Sequence, residues 1–192
     1  EYARQGFFEL CGVAVLDLMV IFLAGVLAKR NENGRKPVAV RIYSAVFSLI
    51  TILLICSAMS KMIMYIGEYG LTGLRFYTSW FMILLGIVFL VLILHEIFPG
   101  MKTVATLFIS FTVMFGALCF CDPDARIAQY NVESYLSGEI AETDTGSLAM
   151  LSEGAAPYVE RLKDSDSAYY NCCNRVLITM KESRTSGVYF PL

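Results

Sequence analysis

Two stretches without a single charge, Ile42 to Ala58 and Phe76 to Leu94, flank a short segment crowded with tyrosine, glycine and charged residues. Each is close to the ~20 apolar residues that a helix needs to cross the hydrocarbon core of a bilayer. Neither run would make sense on a surface facing water. The segment between and around their ends, Cys56 to Trp80, reads CSAMSKMIMYIGEYGLTGLRFYTSW and is expected to form a transmembrane hairpin with its connecting loop. Of the 192 residues 57% are hydrophobic and only 17% charged. A globular domain ordinarily has about 45–50% apolar and about 25% charged residues, so this balance excludes disorder and most soluble folds.

Two further apolar runs complete the set. Phe7 to Ala28 is interrupted only by Glu9 and Asp17, and Thr103 to Cys121 carries no charge. The fold class expected is an all-α membrane protein: four transmembrane helices, at about 7–28, 42–66, 76–98 and 103–121, followed by a small soluble helical appendage over 122–192. Pro99-Gly100 is expected to break the chain between the third and fourth spans. In the appendage Asp122-Pro123 predicts a helix start and Gly138 a stop, with more helices near Ser147 to Leu151, Ala156 to Lys163 and Ser167 to Ser183.

Charge predicts orientation. The connector KRNENGRKPVAVR holds five bases against one acid, and Lys and Arg at span ends resist transfer across the membrane. That connector is expected in the cytoplasm of a cell with an inner membrane. By alternation the N-terminal edge, the loop GEYGLTGLR and the tail are then extracytoplasmic. Residues 1 to 121 hold 9 bases and 6 acids, whereas Asp122 to Leu192 holds 6 bases and 11 acids, which fits two compartments. Tyr65, Tyr69, Tyr77 and Trp80 would lie near the outer headgroups, where amphipathic rings are favoured. No basic stripe with interleaved aromatics exists, so the chain offers nothing to a nucleic acid. There is no initiator Met, and EYARQGFF enters the first apolar run without a basic leader region, so a signal peptide is not expected and a longer parent protein is.

The motifs also carry a family likeness. YARQGFF with Asp17 ten residues beyond it, then SAMSKMIMYIGEYGLTGLR and WFM, then DPDARIAQYNVESYLSG and SLAMLSEGAAPYVERL follow one another in order over nearly the whole chain. In this the chain resembles the bacterial multi-pass membrane family catalogued as domain of unknown function four-one-seven-three, a relative of four-one-five-three. The resemblance implies the C-terminal part of a longer inner-membrane protein and brings no assigned activity. Two positions depart from the family pattern: Asp17 stands where an amide is expected, and Asp122 where an Asn is expected.

Asp17 is the sharpest functional candidate. Counted from Phe7 it lies ten residues deep, ~15 Å at 1.5 Å per residue, which is near the midplane. A carboxylate there costs on the order of 3 kcal/mol on insertion scales, so it must face other helices or water, or carry a proton. Two readings follow: a proton- or cation-responsive site, or a protonated Asp bonded to a hydroxyl as glue between helices, with Thr51, Gly86, Ser110 and Thr112 at comparable depth. Lys61 and Glu9 fall at similar depth on antiparallel spans and, with Arg4, Glu68 and Arg75, are candidates for an outer vestibule. The competing reading is that Lys61 snorkels and the rest are interfacial anchors. Ser44, Ser48 and Thr51 on the second span, and Thr103, Thr106, Ser110 and Ala117 on the fourth, form small or hydroxyl faces suited to helix packing or, less simply, to a permeation path.

The six cysteines are expected as free thiols, the alternative being a disulfide between the Cys119/Cys121 and Cys172/Cys173 groups. Three resemblances to enzyme motifs fail. His95-Glu96 lacks a second His. Asp122, Asp124 and Glu133 take three positions of a calcium loop, but Arg126 and Ile127 replace a ligand and the turn Gly. A single intramembrane Asp makes no catalytic dyad. No catalytic residue, metal ligand or cofactor is assigned; the partners expected are the lipid bilayer and another envelope protein, the ligand being unspecified. Two functional readings stand: a structural or regulatory/signalling membrane module, or part of a transporter.

Overall fold

The computed structural model describes residues 12–21, 23–24, 37–98, 100–140, 145–165, 167 and 169–186. Regular structure in these residues is helical throughout. Helix α1 is Gly12–Ile21, α2 Val38–Tyr69, α3 Gly73–Ile97 and α4 Thr103–Phe120. They are followed by α5 Pro123–Leu136, α6 Thr145–Ala149, a 3-10 turn Glu153–Ala155, α7 Ala156–Ser165 and α8 Tyr170–Ser186. Helices α2, α3 and α4 are each long and apolar enough to cross a membrane, whereas α1 is a shorter apolar helix and the rest of the first expected span, about 7–28, lies largely outside the described residues.

These helices are apolar around most of their circumference. On α2 the buried residues are few, whereas Val46, Leu49, Ile50 and Leu53 are exposed, and α4 buries no residue at all. A helix hydrophobic on every side is stable only where its outward side chains meet lipid or other protein. The chain is therefore an integral membrane protein, all-α in class.

Packing divides the chain into two compact units. One holds the described residues up to Met62 together with Thr78–Phe115; the other holds Ile63–Tyr77 with the chain from Gly116 onward. The first is the hydrophobic bundle. The second adds the turn of the α2–α3 hairpin to the C-terminal helices.

The second unit has an ordinary water-soluble architecture. Ala128 and Val132 of α5, Leu148 of α6, Ala155 of the 3-10 turn, Val159 and Leu162 of α7, and Cys173, Val176, Leu177 and Met180 of α8 form one buried cluster. Their three- and four-residue spacing gives each helix a single inward stripe. Local chemistry sets the ends. Pro123 opens α5 at its first position, where a missing N–H costs nothing. Asp122 precedes it as expected, but in the left-handed region at φ 45° and without a side-chain cap bond. At the other end Gly138 has φ 79°, with Gly138 N–H donating to Tyr135 O and Glu139 N–H to Ser134 O. That pair of bonds satisfies carbonyls left open by the last turn. The expected starts of the later helices were shifted by two or three residues: α6 runs Thr145–Ala149 and α8 begins at Tyr170. Serine and threonine flank both, and they serve turns as readily as helix ends.

Cys56, Cys119, Cys121, Cys172 and Cys173 are free thiols, and Cys173 is buried in the cluster. Burial pushes its thiol above the usual range, the neighbouring Cys172 adds to this, and Lys163 partly offsets it. The folded state thus holds the Cys173 proton more firmly than the unfolded chain does. Its contribution to stability is complete below about pH 8.5 and is lost as pH rises through the folded value. Iodoacetamide at pH 8 is expected to modify Cys121 and Cys172 while Cys173 reacts only on denaturation; mass spectrometry showing equal modification of Cys172 and Cys173 in the native protein would disprove the buried placement.

Candidate functional site

Two polar clusters interrupt the apolar scheme, one in each unit. In the bundle, Asp17 of α1 is half-buried and meets Thr51 of α2, the Thr51 hydroxyl bonding the Asp17 Oδ2. Thr51 itself is fully buried, and its Oγ1 also lies 3.0 Å from Phe47 O, one turn back. Thr51 is 13 residues from the start of α2, ~20 Å along the axis, well inside the hydrocarbon of a membrane that α2 spans. Of the four groups expected at this depth, Thr51 is the one brought to Asp17. Gly86 instead faces Ile55, and Thr112 bonds back to Phe108 O at 2.9 Å.

The same face of α2 carries Ser44 and Ser48, buried to 6% and 0% exposure. Their hydroxyls have no hydrogen-bond partner among the described residues. Other hydroxyls of the membrane helices take the carbonyl four residues back, as Ser60 does with Cys56 O and Thr106 with Lys102 O. The hydroxyl face expected on α4 is not buried, and that on α2 is. Nothing in composition distinguishes the two faces.

At the far end of this unit Arg41 pairs with Glu96. The Arg41 guanidinium donates to Glu96 O and its Nε lies 3.7 Å from Glu96 Oε2, with the Glu96 side chain 9% exposed. Beside it His95 Nδ1 and Thr103 Oγ1 are 2.6 Å apart, which ties the end of α3 to the start of α4. Neither pair was foreseen. In the sequence Arg41 reads as part of the basic connector, yet it lies inside the first turn of α2.

In the second unit the hairpin turn is held by one side chain. Asn131 of α5 accepts from Leu71 N–H and donates to Leu71 O, both at 2.7 Å, so its amide completes the backbone of the turn as a neighbouring strand would. Asn131 is 5% exposed. On the adjoining face of α5, Ala128 and Val132 enter the buried cluster, so α5 joins the turn to the rest of the unit. Arg75 secures the turn from the other side, its Nη1 donating to Gly70 O at 2.6 Å and Tyr69 O at 3.2 Å, with the guanidinium over the Tyr69 ring. At the start of α5 the Asp124 carboxylate accepts from Ser152 N–H at 3.0 Å.

Of the vestibule candidates, Lys61 and Glu68 are exposed and Arg75 is engaged as above. Glu9 and Arg4 lie outside the described residues, as do Cys11 and the connector over 25–36. Asp122, Asp124 and Glu133 border or occupy α5, a helix rather than a calcium loop, and no group of three metal-ligating side chains occurs among the described residues.

Gly70 and Gly138 both have positive φ, 73° and 79°. A Cβ at Gly70 would stand 2.9 Å from Asn131 Oδ1, whereas one at Gly138 meets open space. Gly138→Ala is therefore expected to cost about 1–2 kcal/mol from backbone conformation alone, and Gly70→Ala clearly more; equal shifts in thermal midpoint would show that the turn is not seated on Asn131.

No curated protein and no solved structure matches the chain. A family profile does, over residues 1–162, a stretch that takes in the hairpin turn, Asn131 and α7 up to Leu162. It corrects the number drawn from the motifs, four-one-seven-three: short motifs of this kind do not separate two related families. The chain belongs to the family described as Domain of unknown function (DUF4153).

Proposed function

We propose that this chain is a structural or regulatory/signalling module of a bacterial inner membrane, whose hairpin turn and C-terminal helices act as one extracytoplasmic piece toward another envelope protein. The observation that carries the reading is the double hydrogen bond between Asn131 and Leu71. A turn between two spans needs no such anchor merely to reverse the chain. Seating it on a helix sixty residues away makes the turn part of a folded surface, and any load on that surface reaches the ends of both α2 and α3. The basic connector supports the orientation. The acidic balance after Asp122 suits a partner with a basic face.

A second reading, part of a transporter with a proton- or cation-responsive site at the midplane, is favoured by Asp17 and Thr51. Ionisable side chains inside membranes commonly serve such roles.

Removing the Asn131 amide leaves the turn backbone without two hydrogen bonds, on the order of 2 kcal/mol in all. Hydrogen exchange in lipid nanodiscs is expected to show the Leu71 amide and the α5 amides protected together, with Leu71 at least about tenfold faster in Asn131→Ala. Exchange of Leu71 that ignores this substitution would sink the single-piece reading. For orientation, with the native cysteines replaced by alanine, an impermeant maleimide applied to intact cells is expected to label Glu139→Cys and spare Arg35→Cys; the reverse pattern would invert the topology.

A further inference from the structure

Thr51, Ser48, Ser44 and Arg41 recur along α2 at steps of three, four and three residues. Such spacing places them on one face. The row runs ~15 Å along the axis at 1.5 Å per residue, and each end meets a carboxylate from another helix: Asp17 at Thr51, Glu96 at Arg41. Between them stand two hydroxyls, buried to 0% and 6% exposure, without a partner among the described residues. A buried hydroxyl is rarely left so. Side chains one turn apart are separated by about 5–6 Å, the span of two hydrogen bonds in series, so a single water would bridge each interval. Water held between two hydroxyls makes bonds nearly as good as direct ones.

We infer that this face of α2 is a proton path linking Asp17, inside the membrane, to the Arg41–Glu96 end of the bundle. It deepens the second reading above, that Asp17 is a proton-responsive site, and it is independent of the partner proposed for the extracytoplasmic piece.

Thr51 has one hydroxyl proton and two acceptors within reach, Asp17 Oδ2 and Phe47 O. With Asp17 ionised, Thr51 donates to the carboxylate. With Asp17 neutral, the carboxyl donates to Thr51 Oγ1 and Thr51 donates to Phe47 O. The two states differ by one proton, by the direction of the Asp17–Thr51 bond and by the acceptor of the Thr51 hydroxyl, with no rearrangement of the helices. In the transfer itself a water on the Ser48 side gives a proton to Thr51 Oγ1 as the Thr51 proton passes to Asp17 Oδ2, and the row refills from the aqueous end. The charged and titratable groups of the bundle's described helices near the row are Asp17 on α1, Arg41 on α2 and Glu96 with His95 on α3; α4 contributes none.

The test is infrared difference spectroscopy of the full chain in nanodiscs, following a carboxylic-acid carbonyl band after transfer from H2O to D2O. The wild-type protein is expected to show a band that Asp17→Asn lacks, and it should exchange at least about tenfold more slowly in Ser44→Ala/Ser48→Ala, while the exposed control Ser57→Ala leaves the rate unchanged. If no band is assignable to Asp17, the proton-responsive site itself fails. If the band is present but the double variant exchanges like wild type, or the control slows it equally, the path fails and the site stands. Ser44→Ala and Ser48→Ala made singly, each also expected to slow exchange, answer for a double variant that does not fold.

Discussion

Inside a bilayer every helix satisfies its own backbone, so the arrangement of helices is decided by the few side chains that cannot face lipid. In this protein Asp17 is foremost among them. Its carboxyl meets Thr51, a residue fully buried on the neighbouring helix, and that contact commits α1 and α2 to one rotation about their axes. With Thr51 turned inward, Ser48 and Ser44 must follow, because they share its face. Arg41 then lies where Glu96 can receive it. One buried polar contact thus accounts for the polar row, while the remaining circumference of α2 is left to hydrocarbon.

The second unit obeys a different rule. Its helices are amphipathic, and it is held by the apolar cluster that α5, α7 and α8 share. Asn131 is its one deeply buried amide, used where an apolar residue would have left the Leu71 backbone unpaired. The cost of an unsatisfied buried N–H or C=O makes this arrangement specific: no other side chain of similar size both donates and accepts in the same plane. Gly70 belongs to the same device, since a left-handed turn lying against an amide oxygen has no room for a Cβ.

The two clusters bear differently on function. The Asn131 contact turns a loop into a surface, which is what a module that meets a partner requires. The Asp17 row sets a carboxyl and hydroxyls among apolar helices, where such groups are expensive unless they are used or fully satisfied.

What the chain determined by itself is what local patterning controls. Charge-free runs of span length demand lipid whatever surrounds them, and α2 through α4 follow those runs closely. Pro123 and Gly138 start and stop α5 by their own backbone preferences. The depth of Asp17 came from counting residues, and with it the expectation of a hydroxyl partner. Tertiary structure decided the rest, because rotation about a helix axis is invisible in a run apolar on all sides. It chose Thr51 among four groups of equal depth, across 34 residues of chain, and buried the hydroxyl face of α2 rather than that of α4. It also drew Asn131, which has no distinguishing mark in the sequence, to a backbone sixty residues away. Contacts of that range depend on how whole helices dock, and no local signal records them.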